Sequence, residues 1–296
     1  MEAPNFQRRL PFAARLVLIL VPACFVAALV YWVFINFGDR ERREINAVRG
    51  THLASWSAGI PLAGTPDLAS LELRLKASGL ALGAPVLIRI FKREFEFELW
   101  MGRDGRFQRF AIYPICIWSG WLGPKIATGD RQAPEGFYTV ASNQMNPNSR
   151  WHRSFNLGFP NAYDAAHGRT GSALMVHGGC SSVGCFAMTN AVIDEVWRLT
   201  TAALAGKQKA FQVQVYPFRM SEENLQAHQT SPNAAFWGQL KPGSDLFEAT
   251  GQAPVVNVCQ GAYRFKAGTG AETAPVAGSG CADSSLSEKG GGKKAL

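Results

Sequence analysis

Between Glu94 and Leu99 the chain alternates a carboxylate with a large apolar side chain, Glu94, Glu96 and Glu98 interleaving with Phe95, Phe97 and Leu99. Only an extended strand sends every second residue to one face, so this run commits the chain to a sheet with one face on a core. Val86 to Phe91 is apolar and β-branched, a further strand pattern. Arg103-Asp104-Gly105 then turns the chain into a strand over Phe107 to Ile117. Ala210 to Tyr216 alternates again, and Val255 to Phe265 reads as a last strand. Helices frame these strands. Asp67 to Ser78 carries Leu68, Leu71 and Leu75 between Pro66 and Gly79, and Asn190 to Ala205 carries an apolar stripe that ends at Gly206. Residues 221–250 read as a helical excursion. Residues 120–171 are rich in Gly, Pro, Asn and aromatics without a period, and a loop of that length inside a domain is usually functional.

Composition sets outer limits. At 47% hydrophobic and 18% charged residues over 296 positions, the chain is not an intrinsically disordered one. Six cysteines are too few for a disulfide-built miniature. The net charge of +8 implies an anionic partner: nucleic acid, a membrane surface or an acidic polymer. Residues 85–220 hold 15 Lys+Arg against 9 Asp+Glu, so most of the excess lies there and not in a basic tail. Near the N-terminus, Leu16 to Phe37 runs 22 residues without a charge, about the ~20 a helix needs to cross a bilayer. A signal peptide has an apolar region of only ~7–15 residues, and no small-x-small cleavage site follows. The expectation is a retained transmembrane anchor, in which Pro22 is tolerable. Arginines flank it on both sides (Arg8, Arg9 and Arg15 before, Arg40, Arg42, Arg43 and Arg49 after), so charge alone gives no orientation.

The densest chemistry is Val176-His177-Gly178-Gly179-Cys180-Ser181-Ser182-Val183-Gly184-Cys185-Phe186. A short apolar strand, Ser172 to Val176, delivers a histidine; a Gly/Ser loop follows, and a cysteine stands before a helix. Thiolate is the nucleophilic form of cysteine, and a nearby histidine and a helix N-terminus both lower a thiol pKa. Small residues around Cys185 let backbone N–H groups approach a reacting carbonyl. Two other readings stand beside this one. Cys180 and Cys185 can be buried structural thiols with His177 a satisfied core histidine. His177, Cys180 and Cys185 are also ligand types that zinc accepts, with His167 or Cys116 as a fourth.

The same stretch resembles the L,D-transpeptidase (YkuD) catalytic domain, whose signature is His-Gly followed by Ser-His-Gly-Cys. Here the pair is His177-Gly178 and Ser182-Val183-Gly184-Cys185. The resemblance is closest to the YafK branch of that family. It extends over about residues 84–220, through Phe91-Lys92, Tyr113-Pro114-Ile115-Cys116, Leu122-Gly123-Pro124-Lys125, Gly129-Asp130-Arg131-Gln132-Ala133-Pro134-Glu135-Gly136, Met145-Asn146-Pro147-Asn148-Ser149, Phe155-Asn156-Leu157-Gly158, Pro160-Asn161-Ala162-Tyr163-Asp164 and Pro217-Phe218-Arg219-Met220. Two departures stand out. Val183 replaces the signature's histidine, and the arginine usual shortly after the cysteine is absent. His167-Gly168 lies nearer the family's usual interval before Cys185 and is a rival base. His177 is preferred because it ends an apolar strand, as the family's base does.

The resemblance implies a mainly β protein, a YkuD-like β-sandwich with flanking helices, preceded by one N-terminal transmembrane helix. The implied organisation is a cytoplasmic N-terminus over 1–15, the anchor over 16–38, a linker and lead-in helix over 39–83, and the catalytic domain over 84–220. A C-terminal extension packing on that domain follows over 221–266, then a disordered tail over 267–296. The implied activity is acyl transfer on peptidoglycan tetrapeptide stems, with a thioester through Cys185 passed to an amine. Hydrolysis of the same bond, including release of wall-linked lipoprotein, is the first alternative, and a non-catalytic wall-binding module the second. Cys185 is the implied nucleophile and His177 the proton acceptor and donor. The backbone N–H groups of Gly184 and Cys185 are the implied oxyanion donors, and the Gly178 carbonyl orients the imidazole. Arg131, Tyr138 and Ser182 are the expected substrate contacts, with Trp118 and Trp121 as candidates for the groove. No cofactor, metal or nucleic acid is expected. The implied partners are stem peptides, a wall-anchored lipoprotein and, through the anchor, the inner membrane. Such a substrate places the domain in the periplasm, where Cys259 and Cys281 can pair.

Overall fold

The strand Val86–Phe91 (β1) is buried at all six positions, because both of its edges are paired and both of its faces are covered. It belongs to the computed structural model of the chain, which describes residues 12–269, with side chains described at 24–32 and 40–269. The other strands are β2 (Glu96–Arg103), β3 (Arg106–Pro114), β4 (Ile117–Trp118), β5 (Gly136–Ala141), β6 (Met145–Ser149), β7 (His152–Asn156), β8 (Met175–His177), β9 (Phe186–Ala187), β10 (Ala210–Tyr216), β11 (Val255–Cys259) and β12 (Ala262–Lys266). They form two five-stranded sheets, β3-β2-β1-β10-β5 and β4-β9-β8-β7-β6, and a separate β11-β12 hairpin. Pairing is antiparallel except for β1 with β10 and β8 with β9. The helices are α1 (Phe12–Ser57), α2 (Leu71–Ala77), α3 (Ala162–Ala166), α4 (Asn190–Ala205), α5 (Glu222–Ala227) and α6 (Ala234–Thr250). Residues 1–50 and 51–296 form two compact units, and everything below concerns the second.

The protein is thus mainly β with flanking helices. Helix α4 packs along β7, β1 and β10; Thr189 caps its start by accepting the Val192 N–H, and it buries Val192, Ile193, Val196, Leu199 and Ala203, the stripe its sequence carries. Phe155 of β7 meets Phe211 of β10 edge-on, ring centroids 5.5 Å apart, which joins the two sheets through one core.

The structure departs from the sequence expectations in identifiable ways. The Glu face of β2 is closed to water at Glu98, whereas Glu96 stays partly exposed. Glu98 is fully buried and accepts from Arg109 at 3.1 Å, Arg219 at 2.7 Å and Trp100 Nε1 at 2.8 Å. Arg89, buried beside it, reaches Ser244 Oγ at 3.0 Å and pairs with Glu248, both on α6. Alternation therefore reported a strand correctly, but its polar face is covered by α6, and buried charge survives there because it is paired. The aperiodic 120–171 stretch contains β5, β6, β7 and α3, strands too short or too polar to show a period. The last strand is a hairpin instead, turned at Gln260 and Gly261, both at positive φ. The expected transmembrane helix is not supported: among the described residues no helix is long and apolar enough to cross a membrane. Part of the 16–38 run, and all of the tail from 270, falls outside the described side chains.

A second buried charge pair matters more for the site. Lys92 and Glu135 are both fully buried and 2.8 Å apart. Lys92 Nζ also donates to the carbonyls of Gly123 at 2.8 Å and Ala133 at 3.1 Å. Glu135 accepts from the Gly123 N–H at 2.7 Å and from Trp237 Nε1 at 2.8 Å. Removing the cation leaves a buried carboxylate without its partner, so Lys92→Met should lose about 3–5 kcal/mol of stability. Urea denaturation followed by tryptophan fluorescence measures this; a loss under 1 kcal/mol would contradict the role given to the pair.

Candidate active site

Strands β8 and β9 bring the two reactive side chains to neighbouring positions. They pair in parallel, Val176 with Phe186 and His177 with Ala187, which sets Cys185 alongside Met175. The Met175 N–H points at Cys185 Sγ, 3.4 Å away. His177 lies two positions further along β8, on the same face as Met175. The chain between them is a tight turn, and small residues are required in it. A Cβ on Gly178 would stand 2.7 Å from Asn190 Oδ1. Gly184 has φ +114°, and a Cβ there would meet Leu174 at 3.2 Å. The turn is stapled by a disulfide between Cys180 and Cys116, Cα atoms 5.3 Å apart.

The tautomer of His177 follows from its neighbour. Nδ1 lies 2.6 Å from the carbonyl oxygen of Gly178. A carbonyl only accepts, so Nδ1 carries the proton and Nε2 is left with its lone pair free to act as base. Burial pushes the His177 pKa down, and the Gly178 carbonyl offsets this in part. Burial pushes the Cys185 thiol up, offset in part by the Met175 N–H. Both shifts favour the uncharged pair, so the resting site holds a thiol and a neutral imidazole. That corrects the expectation of a thiol pKa lowered by a helix N-terminus: α4 begins only at Asn190, beyond β9, and burial dominates. A neutral imidazole whose Nε2 is unprotonated has the chemistry of a general base.

The other expected residues divide sharply. His167 stacks on Tyr163 at 4.1 Å and bonds the Tyr163 carbonyl through Nδ1 at 2.9 Å. It lies at the end of α3, against Gly261, and not on β8. Tyr138 is core: its hydroxyl donates to Asp164 Oδ2 at 3.1 Å, and burial lifts its pKa well above the usual phenol value. Trp118 is likewise buried, beside Phe95. Ser182 is turned inward on Cys185, accepting its N–H at 3.0 Å and donating to its carbonyl at 2.6 Å. The Gly184 N–H donates to Ser119 Oγ, so both expected oxyanion amides are paired within the protein. Arg131 is exposed, at φ +53°. Its neighbour Gln132 presents a carbonyl 3.8 Å from where a Gly184 Cβ would be, which puts the Arg131 loop beside the nucleophile turn. Zinc ligation fails because Cys180 and Cys116 are consumed in the disulfide. Among the described residues no group of three ligand side chains gathers. Cys259 is disulfide-bonded; its expected partner, Cys281, lies outside the described residues.

Two features escaped sequence reasoning. Trp151, in the turn between β6 and β7, stacks near His177 at 6.1 Å and packs on Gly179, yet is 43% exposed. Its only signal was the cluster Arg150-Trp151-His152-Arg153 inside an aperiodic stretch. Ser119 gave none, since its partner Gly184 lies 65 positions away.

These environments fix the pH behaviour. A depressed imidazole pKa keeps the base neutral in mildly acidic solution, so the acid limb of the kcat/KM profile should fall below the ordinary 6.5. The raised thiol should give a midpoint above 9.0 for iodoacetamide alkylation of Cys185, followed on its own peptide because Cys24 is also a free thiol. Trp151→Ala uncovers the ring and should move the acid limb up towards 6.5; an unmoved limb would deny Trp151 a part in burying the base.

Residues 97–216 match the family model of the L,D-transpeptidase catalytic domain, YkuD. The chain is 49% identical over 182 residues to YafK of Escherichia coli strain K12, a protein provisionally named as an L,D-transpeptidase; the match covers 62% of this chain and 74% of YafK. YafK of Escherichia coli O157:H7 matches equally. Among solved structures, the helical cell shape determining protein Pgp2 from Campylobacter jejuni aligns at TM-score 0.38 and 20% identity, over 59% of this chain and 65% of Pgp2. Bdellovibrio bacteriovorus Bd1075 aligns at TM-score 0.33 and 18% identity, over 55% of this chain and 60% of Bd1075. The chain spans less than two thirds of both solved chains. The extent of the match to YafK, together with the family model, places the chain in the L,D-transpeptidase (YkuD) family.

Proposed function

We propose that the protein is a cysteine acyltransferase acting on peptidoglycan tetrapeptide stems outside the cytoplasm. The observation that carries this is His177 fixed as its Nδ1–H tautomer by the Gly178 carbonyl, on the strand beside Cys185. In the forward step Cys185 Sγ attacks the carbonyl of the third stem residue, diaminopimelate, while its proton passes to His177 Nε2. The tetrahedral intermediate collapses by breaking the amide bond to the terminal D-Ala, whose amine leaves with that proton. The resulting thioester is attacked by the amine of a second stem or of a lipoprotein lysine. That amine gives its proton to Nε2, and the thiol is restored. Water in place of the amine gives hydrolysis with the same proton path.

Two further observations support the reading. The Cys116–Cys180 disulfide suits an oxidising compartment such as the periplasm. Arg131, exposed beside the nucleophile turn and without a carboxylate partner among the described residues, is the guanidinium placed to receive a stem carboxylate.

Incubation with a disaccharide tetrapeptide, read by intact mass, tests the proposal. Wild type should form a thioester with loss of D-Ala, and Cys185→Ala should form none. His177→Ala should slow acylation by about 10²–10⁴-fold, whereas His167→Ala should acylate like wild type. No adduct with wild type, or an adduct that persists in Cys185→Ala, rejects the reading. Crosslinked dimers among the products identify a transferase, and free tripeptide alone identifies a hydrolase.

A further inference from the structure

We propose that Ser119 is a positioning residue for the nucleophile: its hydroxyl takes the Gly184 N–H and thereby holds the Ser182–Cys185 turn in the form that presents the thiol. The proposal rests on the acyl-transfer reading above only for its kinetic assay.

A count of protons assigns the direction of each bond. Ser182 Oγ lies 2.6 Å from the Cys185 carbonyl, which only accepts, so the single Ser182 hydroxyl proton is spent there. Ser119 Oγ and Ser182 Oγ are 3.1 Å apart, so the proton between them comes from Ser119. Ser119 in turn accepts the Gly184 N–H, and Ser182 accepts the Cys185 N–H at 3.0 Å. The relay runs from the Gly184 N–H to Ser119, from Ser119 to Ser182 and from Ser182 to the Cys185 carbonyl, with every donor used once. Neither amide of the turn is left for a substrate oxygen. The amide that faces the reacting sulfur is that of Met175.

The relay has something rigid to pull against. The Ser119 carbonyl accepts the Ala133 N–H at 3.0 Å. Gln132 bridges Trp121 and Gly123, accepting the Trp121 N–H at 2.9 Å and donating to the Gly123 carbonyl at 2.6 Å. Gly123 and Ala133 are in turn held by the buried Lys92–Glu135 pair. The turn itself has little packing of its own: Ser181 is exposed and Val183 is 74% exposed. Its outside anchors are the disulfide at Cys180 and the Ser119 hydroxyl at Gly184. Gly184 is buried, so without that hydroxyl its N–H loses its partner and the turn must shift to find another.

The test compares wild type, Ser119→Ala and Ser119→Thr. Displacement of a reacting group by an ångström costs about 10²-fold, so Ser119→Ala should slow single-turnover thioester formation by about that factor at saturating disaccharide tetrapeptide, with half-saturation unchanged. Ser119→Thr keeps the hydroxyl and should recover most of the rate. Acylation by Ser119→Ala at the wild-type rate or faster overturns the proposal, a faster rate meaning that the hydroxyl plugs an oxyanion site. Amide hydrogen exchange gives a readout independent of substrate. In wild type the Gly184 N–H should exchange slowly while that of exposed Val183 exchanges fast; Ser119→Ala should release Gly184 and Ser119→Thr should protect it again. Fast exchange at Gly184 in wild type overturns the proposal whether or not the variants fold. A wild type that forms no thioester but shows this exchange pattern rejects the acyl-transfer reading and leaves the hydroxyl relay standing.

Discussion

A lysine and a glutamate that never meet water hold the site in place. Lys92 follows the central strand β1, Glu135 precedes β5, and between them they bind the carbonyls of Gly123 and Ala133 and the N–H of Gly123. Residues 119–135 have almost no regular structure, so their backbone groups need partners from elsewhere. The ion pair supplies them, and the aperiodic segment acquires the rigidity of the sheet. Ser119, Arg131 and Gln132 all ride on that segment, next to the turn that carries Cys185. A loop built this way is precise without being a helix or strand, because its fixed points are charges that have nowhere else to go.

The reactive pair is held in the opposite electrical condition. Lys92 and Glu135 are charged and buried together, whereas burial keeps His177 and Cys185 neutral. A neutral pair holds no ion pair that a bound ligand would have to desolvate. In the proposed reaction charge would develop only as sulfur bonds to carbon, and the Gly178 carbonyl at Nδ1 would stabilise the imidazolium.

Much of this was legible in the sequence, and the limits have physical causes. Asn190–Ala205 announces itself because its stripe reflects a single buried face, and Val86–Phe91 and Ala210–Tyr216 because short apolar or alternating runs rich in β-branched and aromatic residues favour strands. His177, Gly178 and Cys185 were legible because a nucleophile turn needs small residues close together in the chain. Distance in sequence defeats such reasoning. The cover over Glu98 was not legible because Arg219 and the α6 residues behind Arg89 come from more than a hundred positions later. Tyr138 looked like a groove residue for the same reason, its partner Asp164 lying on α3. The basic excess of residues 85–220 is also smaller in effect than in number: Arg89, Lys92, Arg109, Lys125, Arg153, Arg169, Arg198 and Arg219 are tied to carboxylates. Arg131 and Arg150 have no carboxylate partner among the described residues, and Arg150 lies over the Trp151 ring.

The disulfide between Cys116 and Cys180 puts a constraint on how the chain matures. It closes a loop of 64 residues, for which chain entropy alone gives about 4 kcal/mol of stabilisation. It also draws two cysteines together in the immediate neighbourhood of a third. Cys116, Cys180 and Cys185 allow three pairings, and only one leaves the nucleophile as a thiol. Pairing of Cys185 with either of the others yields an oxidised chain with no reaction to perform. The raised thiol pKa of Cys185 bears on that choice: a sulfur that keeps its proton is slow to enter disulfide exchange. Once the chain has folded, the burial that raises the Cys185 pKa also disfavours its entry into its neighbours' bond.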